Sequence, residues 1–510
     1  MFTPPVERAL AVCIAIALGA AAFIMLYGLV GPEPLGHDES VYLTKARSWI
    51  DGSPADQWGV YRPIAMSAFG WIALQFSDAE QTMRLFGVIF GALTPVIVFL
   101  LFRRIANVFV GLAAGALVIS SPLFLEQAPQ FLNDIPSSTI LFALMLVIYL
   151  YYESAGKSTI IYLAAPLAAL AFYIRYGTTT SLIMIGLFSY LILLPRFLKK
   201  NGHDFAMLGK TILLSFALVV PHIIHALFTT HSPFGILKRA EEVAHRAYLG
   251  EGLVMYVSWL PNELAGWPIG GLAIFASIAI IVILFRRDWR EYFAAPAWAG
   301  WIGLGTFLLT GLLVHAEARY VFFPMILLAG SGLAIISLAI AYWSPLLARA
   351  TLVLVAIFLL VYAVPSFSTT KAFLEGKQND RYRLAYIKAS NAIRADVGTD
   401  SCTLFAIGTY SPSLSWYSRC AIHLVSSRPA FERDFAEAEG TKRYSIILTK
   451  IVEPQVTPQR ADEFGVALEE MFRESSLGAR GDLVVYRLQK KPEIIATTTP
   501  SATTTPGVVE

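Results

Sequence analysis

Long apolar segments recur along the first 365 or so residues and most constrain what this chain can fold into. Each contains about 20 mostly apolar residues, the length that a helix needs to cross a hydrocarbon core of about 30 Å. Apolar residues make up 56% of the chain and charged residues only 15%, and the mean hydropathy is +0.61. Globular domains are more polar. The chain is therefore predicted to be a multi-pass membrane protein.

About eleven membrane spans are predicted from these segments. Their approximate limits are 9–30, 84–102, 108–125, 135–152, 159–174, 177–195, 207–228, 264–285, 293–314, 320–342 and 346–366. A helix satisfies all of its backbone hydrogen bonds internally, as a segment in lipid must. The predicted fold class is thus an all-α polytopic membrane protein with about eleven transmembrane helices, followed by a small external α/β domain.

Basic residues mark one side of the predicted membrane domain. They precede the first span or lie in alternate connections: Arg8, Arg103, Arg104, Lys157, Arg196, Lys199, Lys200, Arg286, Arg287, Arg290 and Arg349. The positive-inside rule places this side, and the N-terminus, in the cytoplasm. The first apolar stretch, about 9–30, resembles an uncleaved signal anchor. We therefore expect an integral protein of the cell membrane whose other loops face the periplasm or the outer surface.

Changes in polarity divide the chain into three predicted parts. Residues 1–368 form the membrane domain, and its external loop 31–83 contains an amphipathic helix from about Glu39 to Ile50 that lies at the interface. A second interfacial helix is expected within 229–263. Residues 369–490 have the polarity of a globular domain and follow an odd number of spans, so this domain lies outside. The Thr- and Pro-rich residues 491–510 are expected to be disordered.

The external domain is predicted to contain both strands and helices. Strands are expected at Ser401–Gly408, Tyr444–Thr449 and Leu483–Leu488, and helices at Tyr382–Arg394 and Glu432–Glu439. Three cysteines exclude a disulfide-rich scaffold. Cys402 and Cys420 can pair outside the cytosol, but the pairing stays open because geometry decides it. The net charge of +3 and the absence of a basic stripe argue against nucleic-acid binding.

The first polar cluster follows the first span and contains His37, Asp38 and Glu39. An acidic side chain near the N-terminus of a helix is stabilised by the helix dipole, so these residues can have a purely structural role. The functional explanation is a general base, because burial in apolar surroundings raises the pKa of a carboxyl and makes it a stronger base. The cluster alone leaves both explanations open.

Two further polar clusters are predicted on the same side of the membrane. Asn133 and Asp134 precede a span, where Asp134 can also serve as a helix cap. His315, Glu317 and Arg319 stand where a late span enters the membrane, and an ion pair between two helix ends would also explain them. Charged groups near membrane depth are costly and usually functional. Their convergence from distant loops indicates one shared site.

Three arginines lie beside these clusters or between apolar segments. They are Arg62, Arg175 and Arg319. A guanidinium presents a planar set of donors that matches a phosphate group. A lipid phosphate at the outer interface would need such residues, although the same side chains can also reach ordinary headgroups.

These motifs together resemble the GT-C superfamily of integral-membrane glycosyltransferases, and especially the branch with protein O-mannosyltransferases and the lipid A aminoarabinose transferase. The resemblance covers about 30–340 and is carried by His37-Asp38-Glu39-Ser-Val-Tyr42, Tyr61-Arg62-Pro63-Ile64, Leu132-Asn133-Asp134-Ile-Pro136 and Glu317-Ala-Arg319-Tyr320-Val-Phe-Phe-Pro324. Arg62 stands where many relatives have lysine. The chain lacks the Trp-Trp-Asp motif of single-subunit oligosaccharyltransferases, which argues against transfer of a whole glycan to asparagine.

The resemblance implies a role for each residue of the site. Asp38 would be the catalytic base, Glu39 would orient it or the acceptor, and Asp134 would support the acceptor. Arg62, Arg175 and Arg319 would bind the phosphate of a polyprenyl-phosphate sugar, and the reaction would invert the anomeric centre. Residues expected to contact the acceptor or the sugar are His37, Tyr42, Tyr61, Asn133, His315, Glu317 and Tyr320.

Two other functions remain as alternatives to a glycosyltransferase. A transporter or flippase of lipid-linked sugars would place polar residues at the membrane midplane, where this chain has few. A non-catalytic scaffold would explain the external domain but not the acidic loops. The expected partners are a polyprenyl-phosphate-linked sugar, a protein, lipid or glycan acceptor, and membrane lipids. A divalent metal bound by the acidic residues stays open, and we do not expect it to be obligatory.

Overall fold

The structure is a computed structural model of the 510-residue chain. It describes residues 4–32, 34–55, 61–195, 205–243, 247–378, 380–406, 411–425, 427–451, 455–475 and 477–491. The chain divides into two compact units, Met1–Leu384 and Ala385–Glu510. The predicted boundary between 368 and 369 stays a prediction. The predicted disordered tail falls almost wholly on 492–510, which lie outside the described residues.

The first unit is helical throughout its described secondary structure. Its helices are α1 (Pro4–Tyr27), α2 (His37–Asp51), α3 (Ile64–Leu74), α4 (Glu80–Ile105), α5 (Val108–Ser120), α6 (Pro122–Gln127), α7 (Asp134–Glu153), α8 (Ala164–Ile174), α9 (Thr178–Phe188), α10 (Phe205–Thr230), α11 (Gly235–Val243), α12 (Glu251–Trp259), α13 (Trp267–Phe285), α14 (Arg287–Tyr292), α15 (Ala294–Leu313), α16 (Phe322–Trp343) and α17 (Pro345–Gln378). Short 3-10 helices, Thr159–Leu163 and Ala318–Val321, precede α8 and α16.

All eleven predicted spans coincide with apolar helices. Among the described residues, eight helices are long and apolar enough to cross a membrane, and each overlaps one predicted span. The other three predicted spans correspond to shorter apolar helices, Val108–Ser120, Thr159–Ile174 and Thr178–Leu193. The predicted all-α multi-pass membrane fold is therefore confirmed.

The loop between α6 and α7 lies directly against α4 at Gly87, and this contact fixes the position of the loop. A Cβ added to Gly87 would lie 2.3 Å from the carbonyl oxygen of Gln130 and 2.5 Å from that of Ala128. Such distances are far below van der Waals contact, so only glycine lets this loop lie against α4. The loop leads directly into Asp134 at the start of α7. Gly87 thereby fixes where one of the acidic side chains stands.

The predicted helix after the first span is present as α2, and Pro63 then precedes α3. Val41, Tyr42 and Ala46 are buried within the unit, whereas Trp49 is 43% exposed. The inward face of α2 thus packs against protein. The predicted helix within 229–263 corresponds to α11 and α12, although His245 and Arg246 lie outside the described residues.

The second unit contains a five-stranded mixed sheet with helices. It comprises the end of α18 (Arg381–Val397), β1 (Cys402–Ala406), α19 (Ser411–Ser418), β2 (Ala421–Leu424), α20 (Arg428–Glu437), β3 (Lys442–Leu448), β4 (Val466–Glu474) and β5 (Leu483–Lys490). The strand order is β2-β1-β3-β5-β4. The strand β1 pairs in parallel with β2 and β3, whereas β5 pairs antiparallel with β3 and β4.

The three predicted strands and two predicted helices of this unit are confirmed as β1, β3, β5, α18 and α20. Cys402 at the start of β1 and Cys420 before β2 form a disulfide with Cα atoms 4.7 Å apart. The pairing that the sequence left open is thus present in the structure. It closes the loop that connects the two parallel strands.

Candidate functional site

The carboxylate of Asp38 lies in the first turn of α2 and contacts two arginines from distant segments. Arg62 donates from Nη2 to Oδ1 of Asp38 at 2.7 Å. Arg319 donates from Nη1 to Oδ2 at 3.0 Å. Arg62 directly precedes Pro63 and α3, and Arg319 lies in the 3-10 turn before α16. The structure therefore brings together three residues that are up to 281 positions apart.

The carboxylate of Asp134 extends this cluster from the first turn of α7. Arg175, which directly follows α8, donates from Nη1 to Oδ1 of Asp134. Nη1 of Arg319 lies 3.8 Å from the other oxygen, Oδ2. Asp134 is 1% exposed, and Oδ2 has no hydrogen-bond partner within the described part of the chain. Arg319 therefore stands between the two aspartates.

Aromatic side chains line the arginine cluster. The guanidinium carbon of Arg175 lies 4.1 Å from the ring centroid of Tyr320, and that of Arg319 lies 5.5 Å from it. Tyr42 from α2 is fully buried, and its hydroxyl has no hydrogen-bond partner among the described residues. Aromatic faces stabilise guanidinium groups and limit their rotation. Tyr42 supplies a further polar group beside the cluster.

Glu317 holds Arg319 from the side opposite the aspartates. Nε of Arg319 donates to Oε2 of Glu317, and Nε2 of His315 lies 3.3 Å from Oε1. The hydroxyl of Tyr320 lies 3.4 Å from the same histidine nitrogen. Tyr256 donates its hydroxyl to the carbonyl of Glu317 at 3.1 Å. The third predicted cluster is thus one connected hydrogen-bonded group.

The electrostatic state of the two acids at the cluster is set by their partners. Burial alone would raise the pKa of Asp38, but Arg62 and Arg319 outweigh it and lower the pKa below 3.8. Burial also opposes ionisation of Glu317, yet His315 and Arg319 lower its pKa to about 2. Burial therefore acts on Asp38 in the expected direction, but the net shift of its pKa is downward, because two guanidinium groups that the sequence could not place lie at the carboxylate.

Glu39 points away from Asp38 and forms a separate buried ion pair. Arg84 of α4 donates from Nε and Nη2 to the two oxygens of Glu39, each at 3.0 Å, and from Nη1 to the carbonyl of Gly31 at 3.0 Å. The backbone N–H groups of Gly36 and Phe131 donate to the same carboxylate. Both side chains of the pair are about 1% exposed. This arrangement favours a structural role for Glu39, where we expected it to orient the base or the acceptor.

The remaining predicted residues lie around this cluster. His37 opens α2, Tyr61 directly precedes Arg62, and Asn133 donates to the carbonyl of Ile174 at 3.4 Å. Sequence reasoning missed Arg84 and Tyr256. Arg84 stood at the edge of a predicted span, and a charge there was a usable signal. Nothing in the local sequence marked Tyr256.

Within the described ranges, no group of three or more His, Cys, Asp and Glu side chains is arranged to hold a metal ion. Asp38 and Asp134 both face arginines instead. The cluster therefore combines cationic donors with carboxylates, a composition that suits an anionic substrate group.

Comparisons with known proteins agree with this architecture. Residues 62–225 match the family described as dolichyl-phosphate-mannose-protein mannosyltransferase. No curated protein matches the chain. The crystal structure of ArnT from Cupriavidus metallidurans bound to undecaprenyl phosphate is similar to this chain, with a TM-score of 0.66 and 12% sequence identity. The similarity covers 92% of this chain and 97% of that one. The apo structure of that protein has a TM-score of 0.65 at 14% identity, with the same coverage of both chains.

A second solved protein shares the fold over less of its length. The apo oligosaccharyltransferase of Archaeoglobus fulgidus has a TM-score of 0.57 at 12% identity, covering 92% of this chain and 74% of that one. The predicted resemblance to GT-C integral-membrane glycosyltransferases is confirmed by these comparisons. The chain is a multi-pass membrane protein with a GT-C-like fold.

Proposed function

We propose that this protein transfers a sugar from a polyprenyl-phosphate donor to an acceptor hydroxyl on the external face of the membrane. The observation that carries the proposal is the convergence of Arg62, Arg175 and Arg319 on the carboxylates of Asp38 and Asp134. The cluster combines cations for a phosphate leaving group with acids for a hydroxyl nucleophile. The ArnT structure with bound undecaprenyl phosphate supports a donor of this class.

The proposed reaction is a single displacement at the anomeric carbon. An acceptor oxygen forms the new glycosidic bond, its proton passes to Asp38, and the bond from the anomeric carbon to the phosphate oxygen breaks. The polyprenyl phosphate leaves with the electron pair and gains negative charge. The three guanidinium groups stabilise that charge in a mostly buried site. One displacement without a covalent intermediate inverts the anomeric configuration.

The other residues are assigned by their positions. Asp134 supports the acceptor, and Glu317 orients the Arg319 guanidinium through Nε. His37, Tyr42, Tyr61, Asn133, His315 and Tyr320 are proposed to contact the acceptor or the sugar. The sidedness rests on the distribution of basic residues between the spans. The same reasoning places the C-terminal unit outside the cytoplasm.

A direct test is sugar release from radiolabelled undecaprenyl-phosphate sugars by the purified full-length protein in lipid nanodiscs. We expect turnover with at least one donor when a panel of acceptors is supplied. An Arg62→Gln variant is expected to raise the donor KM, because it loses one charge-assisted bond to the phosphate. Donor that crosses reconstituted vesicles without bond cleavage would contradict the proposal and indicate a flippase.

Replacement of Glu317 by glutamine tests the orientation of Arg319. We expect the donor KM to rise about tenfold with a smaller change in kcat, since hydrogen bonds between charged groups contribute about 1.5–3 kcal/mol. Steady-state kinetics at varied donor concentration measure this split. Glu263→Gln, at an exposed position outside the cluster, is the matched control. An unchanged donor KM in Glu317→Gln would show that Glu317 does not contribute to donor binding.

The pH dependence of kcat/KM tests the charge state of Asp38. A lowered pKa keeps the carboxylate ionised down to more acidic pH, so the active form is present above that pKa and is lost only as pH falls through it. We therefore expect the acidic limb that belongs to Asp38 to lie below its ordinary value of 3.8. An acidic limb centred at about pH 6 that shifts in Asp38→Glu would contradict this assignment.

A further inference from the structure

We infer that Asp38 is held inactive by Arg62 and Arg319 until the donor phosphate takes its place on these guanidinium groups, so that the donor frees the base that acts on the acceptor. This inference rests on the proposed function and adds an order of binding to it. In the free protein Asp38 is paired with both arginines, and in the donor-bound protein its carboxylate is separated from them.

Both oxygens of Asp38 are engaged in the free protein. One accepts from Arg62 at 2.7 Å and the other from Arg319 at 3.0 Å. A carboxylate that pairs with two cations binds a proton weakly, because protonation would cancel both attractions. The carboxylate is therefore a poor base as long as these pairs persist. If the acceptor binds before the donor, the paired Asp38 carboxylate does not take the proton of the acceptor hydroxyl.

The charges of the cluster balance without a donor. Three guanidinium groups, those of Arg62, Arg175 and Arg319, face three carboxylates, those of Asp38, Asp134 and Glu317. A phosphodiester would add one negative charge to this mostly buried group. An uncompensated charge is costly away from water. The phosphate therefore has to compete with a carboxylate that already occupies the guanidinium donors.

Asp38 is the carboxylate best placed to give way. Its side chain is 14% exposed, whereas that of Asp134 is 1% exposed. Arg62 is also the most exposed arginine of the cluster at 28%. Separation of Asp38 from Arg62 thus moves a charge toward solvent, while separation of Asp134 would leave one in the interior.

Two polar groups beside Asp38 are unused in the free protein. Nε of Arg62 and the hydroxyl of Tyr42 are buried and have no hydrogen-bond partner in the described part of the chain. Buried donors are normally paired, so a pair of unsatisfied donors at one place indicates an absent ligand. A phosphate oxygen would satisfy such donors. The site therefore has unused donors as well as competing carboxylates.

The first experiment measures binding of farnesyl phosphate to the full-length protein in nanodiscs, with farnesol as the uncharged control. Asp38→Asn removes the competing charge with little change in shape, and we expect its Kd to be about tenfold lower than that of the wild type, the effect of one charged hydrogen bond. Asp38→Glu keeps the charge, and we expect a Kd close to the wild-type value. An unchanged or higher Kd in Asp38→Asn, or equal tightening in Asp38→Glu, would overturn the inference.

A second measurement follows the carboxylate itself in the wild type. Infrared difference spectra on addition of farnesyl phosphate should show a change in a carboxylate stretching band that is missing in Asp38→Asn. A wild-type spectrum without this band would also overturn the inference. Arg62→Gln separates the two proposals: if it weakens farnesyl phosphate binding while Asp38→Asn has no effect, the phosphate site stands and only the competition fails. If neither variant alters binding, the proposed donor site fails as well.

Discussion

Asp38→Asn is expected to lower the rate of sugar transfer about a thousandfold while the protein stays folded, since a general base contributes roughly 10²–10⁴ to a rate. The amide keeps the size of the side chain and cannot take the acceptor proton. The variant should also bind donor at least as tightly as the wild type. Single-turnover transfer from a radiolabelled donor measures the chemical step directly.

The matched control is Asp51→Asn at the other end of the same helix, where the aspartate is exposed and accepts a hydrogen bond from the backbone N–H of Ser53. We expect this variant to retain wild-type transfer. A transfer rate in Asp38→Asn within a few-fold of the wild type would show that another group, such as Asp134, takes the proton.

Arg84→Met is expected to destabilise the folded protein by about 3–5 kcal/mol, the loss typical when one partner of a buried ion pair is removed. The substitution would leave the Glu39 carboxylate buried without its main partner and would free the carbonyl of Gly31. The free energy of unfolding in mixed micelles, followed by circular dichroism, measures the effect.

Arg104→Met on the same helix is the control for Arg84→Met. Arg104 lies 3.4 Å from Glu153, and its side chain is 48% exposed. Exposed ion pairs contribute about 0–1 kcal/mol. Equal destabilisation by the two variants would show that the buried Glu39–Arg84 pair contributes no more to stability than an exposed ion pair.

The membrane helices could be predicted because their signal is local. Each apolar segment must form its own hydrogen bonds in lipid, so length and composition suffice to place it. The three spans that lack full length, such as 159–174 with its initial 3-10 turn, show where this signal is weakest. The length of the helix at these spans depends on packing against neighbouring helices, which cannot be read from the local sequence.

The members of the candidate site could be predicted better than their pairing. Apolar context marked Asp38, Asp134, Arg175 and Arg319, and these residues do meet in the structure. Which acid faces which arginine depends on how helices pack. Asp38 and Glu39 are neighbours in sequence, but helical rotation points them to different sides of α2. The sequence therefore suggested one shared role for two residues with different surroundings.

The strand β4 shows a second limit of local prediction. Val466–Glu474 is rich in Ala, Leu, Glu, Met and Arg, which favour helices. It forms a strand because it pairs along β5 from Val466↔Lys490 to Glu474↔Leu483, with an irregularity between Glu470 and Phe472. Tertiary pairing overrides propensity at such an edge.

The buried Glu39–Arg84 pair has a consequence for experiments in living cells. The pair joins α2 to α4, and the bond from Phe131 to Glu39 adds the loop before α7. Substitutions at 38 and 39 would therefore abolish the proposed sugar transfer for different reasons. A protein altered at 39 would be cleared by quality control, since a loss of a few kcal/mol of stability lowers cellular abundance. A protein altered at 38 would accumulate normally and compete with the wild-type copy for donor. Immunoblots, together with an assay of the proposed sugar transfer in cells, would separate the recessive variant from the dominant one.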